Sequence, residues 1–170
     1  MAKLIEDKVT DTHVYFWGDP TLSNWGPAEF DYKGEHFFNS EQAFMWEKAI
    51  FFGDEEVASE ILSTKNPKNA KDLGRLVLNY NDNEWAKVRY KKMLEVCLAK
   101  FSQNEDQRET LLNTENRILV EGSPYDKVWG VGLHWTDEEI LDEKNWRGMN
   151  LLGKALMQVR DRLVAETLKA

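Results

Sequence analysis

Strand signals concentrate early in this chain and helix signals follow, and that order constrains the fold more than any other feature. Residues 13–17, HVYFW, read as a strand closed by the Gly18-Asp19-Pro20 turn. Residues 28–32 and 35–38 flank Lys33-Gly34, which reads as a two-residue hairpin loop with Gly34 supplying positive φ. Residues 118–121 supply one later strand. Strands followed by helices favour an α+β fold over a βαβ doubly wound sheet. The expectation is a helix-rich α+β domain with a small, mainly antiparallel sheet. No repeat, low-complexity tract or linker interrupts residues 1–170, so a single domain is expected, its core at about 13–165.

The helices are marked by their caps. Asn39 or Ser40 opens one that runs to Phe52, with Gln42 placed as the capping-box partner of Asn39. Gly53 stops it, and Asp54 caps a short helix to Leu62. Asn66-Pro67 combines a cap with proline at the first helical position, which predicts a helix over 67–79. A longer helix is expected over about 83–101, with Trp85, Val88, Met93, Val96 and Leu98 as its apolar positions. A shorter one follows Asn104, another lies near 137–143, and the last spans about 150–168. Residues 122–133 read as irregular and aromatic.

Composition excludes more than it suggests. With 42% apolar and 31% charged residues the chain is of the globular class. No apolar run approaches the roughly twenty residues that a membrane-spanning helix needs. The first residues, MAKLIEDKVTDTH, lack the apolar core of a secretory signal, so a cytoplasmic location is expected. Cys97 is the only cysteine, which excludes an internal disulfide and a cysteine-built zinc site. The net charge of −8 disfavours tight non-specific binding to a nucleic-acid backbone. The charge is uneven, however: residues 65–100 carry +5, leaving −13 for the remainder. That basic segment suits a small phosphorylated ligand, and a solvated helix face would have the same composition.

Familiar catalytic signatures are missing. The chain has no Walker loop, dinucleotide-binding fingerprint, nucleophile elbow or paired-histidine zinc motif. His13, His36 and His134 have no ligand spacing, so neither a metal nor a cofactor is expected. Cys97, mid-helix among apolar residues, reads as core.

Three clusters carry chemistry. On the helix at 39–52, Glu41, Phe44, Met45, Lys48 and Phe52 fall on one side at about 100° per residue. Trp46 and Ile50 lie roughly opposite, so the helix is apolar nearly all round and expected to be buried. Burial lowers a lysine pKa and raises a glutamate's, which moves Glu41 and Lys48 toward acid/base or nucleophilic use. A buried pair that only satisfies itself is the structural alternative. The second cluster, residues 121–132, sets Asp126 and Trp129 on a glycine-flanked loop suited to a flat base beside a sugar. A tightly turned loop with a core tryptophan explains it equally well. The third enters the last helix at Trp146-Arg147-Gly148-Met149-Asn150, where Asn150 can also be the N-cap.

Together these clusters resemble the YbiA-like family, also called NADAR domains, from about Tyr15 to Leu163. The resemblance rests on Leu22-Ser23-Asn24-Trp25, then Ser40-Glu41 with Lys48-Ala49 and Phe52-Gly53-Asp54. It continues through Ala70 to Arg75, Lys100-Phe101, Leu112 to Thr114, the S-P-Y-D-x-x-W-G run at 123–130 and Asn150 to Gly153. Gln42 and Met45-Trp46 depart from the family pattern and bear on which base is accepted.

The resemblance implies an N-glycosidase or ADP-ribosyl glycohydrolase. Its substrate would be a ribosylaminopyrimidine phosphate or ADP-ribosylated guanine in nucleic acid. Lys48 would be the Schiff-base amine and Glu41 an acid/base or sugar-binding partner, with Asp126 in the same pocket. On the alternative route Glu41 or Asp126 would be the catalytic carboxylate that stabilises positive charge at the anomeric carbon. Ser23, Asn24, Trp25, Phe44, Trp129, Gly130 and Asn150 would contribute to binding, in one concave pocket shared by Asp126, Trp129 and the helix at 39–52. Lys68, Lys71 and Arg75, a stripe within roughly 60° on the next helix, would hold phosphate. Neither membrane nor obligate protein partner is implied. The rival reading is a non-catalytic ADP-ribose or nucleotide-binding module, which would keep the aromatic pocket and the basic stripe without needing Glu41 and Lys48.

Overall fold

In chain order the elements are β1 (Lys8–Val9), β2 (His13–Phe16), β3 (Phe30–Tyr32), β4 (Glu35–Phe37), α1 (Ser40–Phe51) and α2 (Glu55–Leu62). They continue with α3 (Pro67–Gly74), α4 (Asp82–Gln103), α5 (Glu105–Leu112), β5 (Ile118–Glu121) and α6 (Leu151–Lys169). This is a computed structural model, and it describes residues 7–169. Residues 1–6, on which the reading of the N-terminus partly rests, lie outside the described residues. The class is α+β, as expected. The chain divides into two compact units: Asn24–Glu105, and the described residues to Ser23 together with those from Asp106 onward.

In the first unit the hairpin β3–β4 pairs Phe30 with Phe37 and Tyr32 with Glu35. Its loop has positive φ at both Lys33 (50°) and Gly34 (82°), the geometry of a type I′ turn. Asn39 caps α1 by accepting the Gln42 N–H at 2.8 Å. Gln42 does not close a standard capping box. Its Oε1 accepts the Phe38 N–H, and its Nε2 donates to the carbonyls of Ile61 and Thr64. One buried amide thereby ties α1 to the end of α2. Helix α1 packs against α2, α3 and α4 and is buried from Ser40 to Glu47. Ile50 and Phe51 are exposed, so the all-round burial expected from the sequence stops before the last turn.

Helix α3 ends at Gly74, five residues short of the expected 79. The Met45 Sδ occupies the place a Cβ at Gly74 would take, which holds α3 close against α1. Beyond it the Leu78 N–H donates to the Asp54 carboxylate at 2.9 Å, and that bond replaces a helical one. Asp54 also caps α2 through the Val57 N–H at 3.1 Å.

In the second unit β2 is central, pairing antiparallel with β1 and parallel with β5. Among the described residues the expected small sheet is therefore two sheets, with one parallel pairing among antiparallel ones. Strand β1 had no sequence signal. Val14, Tyr15, Phe16, Leu119 and Val120 are buried, and Tyr15 and Val120 join Val131, Leu133 and Ile140 in the core. Helix α6 packs on β5. The helix expected near 137–143 is two 3-10 turns, Glu138–Leu141 and Glu143–Asn145. Among the described residues no helix is long and apolar enough to cross a membrane.

Candidate active site

Lys48 stands near the C-terminal end of α1, half-buried, with its Nζ 4.4 Å from the centroid of the Tyr80 ring. Aromatic side chains continue from that contact. Tyr80 meets Phe52 at 5.3 Å between centroids, and Trp85 meets Phe44, Phe51 and Phe52 at 5.3, 5.8 and 6.1 Å. An ammonium there loses water contacts, so burial holds the Lys48 amine below the ordinary lysine value of 10.5. The charge of Arg75 lowers it further, while those of Glu41 and Asp82 oppose the shift. Glu41, seven residues back and so about 10 Å along the helix axis, acts on Lys48 through space. The Lys48 ammonium rests over the Tyr80 ring face while the Glu41 charge acts on it.

Glu41 is buried in the first turn of α1, where its own N–H donates to the Asn24 carbonyl at 3.0 Å. Asn24 is buried too, its Nδ2 3.5 Å from the Met93 sulfur of α4. Trp25 follows at the surface, 44% exposed, with the Lys71 Nζ 5.9 Å from its ring. The basic stripe does not act as one group. Lys68 and Arg75 both pair with Asp72, at 2.9 and 3.5 Å, and only Lys71 of the three lies over an aromatic ring. Arg75 remains close enough to Lys48 for its charge to be felt.

The loop after β5 is organised by its own residues. The Asp126 Oδ1 accepts the N–H groups of Val128 and Trp129 at 2.9 and 2.8 Å, which closes a tight turn. Gly130 is buried where a Cβ would come within 3.0 Å of the Glu121 and Asp126 carbonyls. The backbone of Trp129 accepts the Leu152 N–H, and Gly130 accepts that of Asn150. Asn150 has φ 53°, and its carbonyl accepts the Lys154 N–H at the start of α6. Its side chain does not cap the helix. It turns to β5, accepting the Glu121 N–H at 3.0 Å and donating to the Leu119 carbonyl at 2.9 Å. Ser23, buried, donates its N–H to the Asp19 carbonyl at 3.2 Å. Trp17, Tyr125 and His134 form a further aromatic group in this unit, with centroids 5.9 and 5.2 Å from Trp17.

Tyr80 and Asp82 were not foreseen, nor was Trp85 as part of the surroundings of Lys48. The only available signal was local: an aromatic residue beside the Asn81 cap, in a segment that breaks helical spacing.

The NADAR domain profile matches residues 15–164, across both units. An N-glycosidase of Acanthamoeba polyphaga mimivirus is 38% identical over 164 residues, covering 89% of this chain and 96% of that one. The protein irg-1 of Caenorhabditis elegans is 38% identical over 174 residues, covering 93% and 82%. The NMR structure of the Escherichia coli protein YbiA superposes with a TM-score of 0.78 at 29% identity, covering 98% of this chain and 93% of YbiA. The chain belongs to the NADAR domain family.

Proposed function

We propose that this chain is an N-glycosidase that cleaves the bond between a base nitrogen and ribose in a phosphorylated, nucleotide-like substrate, with Lys48 as the attacking amine. The observation that carries the reading is the Lys48 amine itself, held over Tyr80 with its proton affinity lowered by desolvation. Relatives named N-glycosidases, the mimivirus protein among them, support the reaction class.

The two substrates considered, a ribosylaminopyrimidine phosphate and ADP-ribosylated guanine, share one chemical feature: the ribose is joined to an exocyclic amino group. When the sugar ring opens, that nitrogen's lone pair forms an imine at C1, and the ring oxygen takes a proton. Neutral Lys48 then adds to C1. The bond from C1 to the base nitrogen breaks, the base leaves with a proton, and a lysine Schiff base remains. Water adds to C1 and releases the open-chain sugar, which returns the amine to Lys48. Glu41, on the same side of α1, is the carboxyl group that carries protons during these steps. Lys71 and Arg75 supply positive charge for phosphate, and Trp25 supplies an exposed ring for stacking.

The test is release of base from both substrates by wild type and by Lys48→Arg, with borohydride added to trap the intermediate. Arginine keeps the charge and removes the nucleophile, because a guanidinium stays protonated. Wild type should release base and form a reducible adduct on Lys48, and the folded variant should do neither. Base release by Lys48→Arg at the wild-type rate, or none by wild type from either substrate, would overturn the reading.

A further inference from the structure

Lys48 would be a poor nucleophile if it were free to swing, and the connector between α3 and α4 supplies what holds it. Tyr80 lies on that connector, 42% exposed, directly before the Asn81 cap of α4. Its ring face receives the Lys48 Nζ at 4.4 Å, and its hydroxyl donates to the Asp82 Oδ1 at 2.7 Å. Phe52, at the end of α1, meets the same ring edge to face at 5.3 Å between centroids. The ring is thus fixed at its hydroxyl by the first residue of α4 and braced at its side by the residue that ends α1.

We propose that Tyr80 and Asp82 are a positioning pair for the Lys48 amine, Asp82 anchoring the phenol and the phenol face seating the ammonium. The proposal rests on the reading of Lys48 as the attacking amine. The charges acting on that amine are Glu41 of its own helix, Arg75 just after α3 and Asp82 of α4. Asp82 therefore works twice, through the phenol it anchors and through its own charge. A cation over a ring is held only while the ring stays in place. A lysine displaced by an ångström loses much of the advantage of correct placement.

The experiment uses four variants of the full chain: Tyr80→Phe, Tyr80→Leu, Asp82→Asn and, for assignment, Lys48→Arg. Carbon-13 labelled lysine gives a Cε resonance for Lys48, identified by its loss in Lys48→Arg. In wild type that resonance should carry a ring-current shift and titrate below the ordinary lysine value of 10.5. Tyr80→Leu should abolish the ring-current shift and lower kcat at least about tenfold, with KM changed less. Tyr80→Phe keeps the face but loses the hydroxyl bond to Asp82, so both effects should fall between wild type and Tyr80→Leu. Asp82→Asn should move the Lys48 titration, and the acid limb of the pH–kcat profile with it, to lower pH.

An unchanged Lys48 resonance in Tyr80→Leu, equal losses in the Phe and Leu variants, or an unmoved titration in Asp82→Asn would each overturn the proposal. If Lys48→Arg keeps activity, the reading of Lys48 as nucleophile fails separately. The resonance still decides whether Tyr80 seats the amine.

Discussion

Glu47 and Lys92 face each other across α1 and α4 at 2.6 Å, with the carboxylate buried almost completely. The second Glu47 oxygen takes Lys33, from the β3–β4 turn, at 2.7 Å. Burial alone would raise the Glu47 pKa, but the hydrogen bonds and charges of the two lysines outweigh it and hold the group below its ordinary 4.5. Neighbouring side chains on α1 thus meet opposite conditions. Glu47 is locked as an anion among cations, whereas Lys48 is poorly solvated and rests on a ring.

Glu47→Gln should destabilise the protein by about 2 kcal/mol, less than for a fully enclosed pair because Lys33 reaches solvent. Urea unfolding at neutral pH measures it. Because the folded pKa lies below the unfolded one, the stabilisation is complete above the ordinary glutamate value of 4.5 and is lost as pH falls through the folded value. The gap between wild type and variant should therefore narrow in acid. A gap independent of pH would assign the loss to packing.

The pH–kcat profile should rise with a group below the ordinary lysine value of 10.5, because desolvation favours neutral Lys48. Arg75→Ala removes a charge that disfavours the protonated amine, so the limb should move to higher pH. The same variant should raise KM for a phosphorylated substrate and spare its dephosphorylated counterpart. Equal effects on both substrates would take Arg75 out of phosphate binding and leave it its Asp72 pairing and its charge on Lys48.

Two glycine replacements should separate rigid from yielding contacts. At Gly153 a Cβ would meet the Leu119 carbonyl oxygen and the Asn150 amide, whose nitrogen is at 2.5 Å. Both are fixed, so Gly153→Ala should cost about 3 kcal/mol by pushing α6 from β5. At Gly74 the obstacle is the Met45 Sδ, the far end of a flexible side chain. Gly74→Ala, which also gains helix propensity, should change stability by no more than about 1 kcal/mol. Paired denaturation curves decide the order.

Cys97 is buried in α4, and burial pushes its thiol up to about 12. An aromatic disulfide reagent at pH 8 should leave the folded protein unmodified and titrate one thiol after denaturation. Rapid modification of the native state would show that α4 opens locally.

Local chemistry made much of the fold legible beforehand. The caps at Asn39, Asp54 and Asn66 and the Lys33-Gly34 turn act through atoms within a few residues, so neighbours in sequence suffice to place them. The spaced motifs from Leu22 to Gly153 disclosed the family for a similar reason, since each survives as a short string. Tertiary structure decided the rest. Met45 fills the side-chain space of Gly74 where α3 ends, and beyond it Asp54 takes the Leu78 N–H. Asn150 serves β5, thirty residues back, although its position invited a helix cap. Lys48 and Glu47 carry comparable sequence signals, yet one meets Tyr80 and the other meets two lysines. What a charged side chain becomes depends on the solvent it loses and the charges it gains, and both are supplied by residues far along the chain.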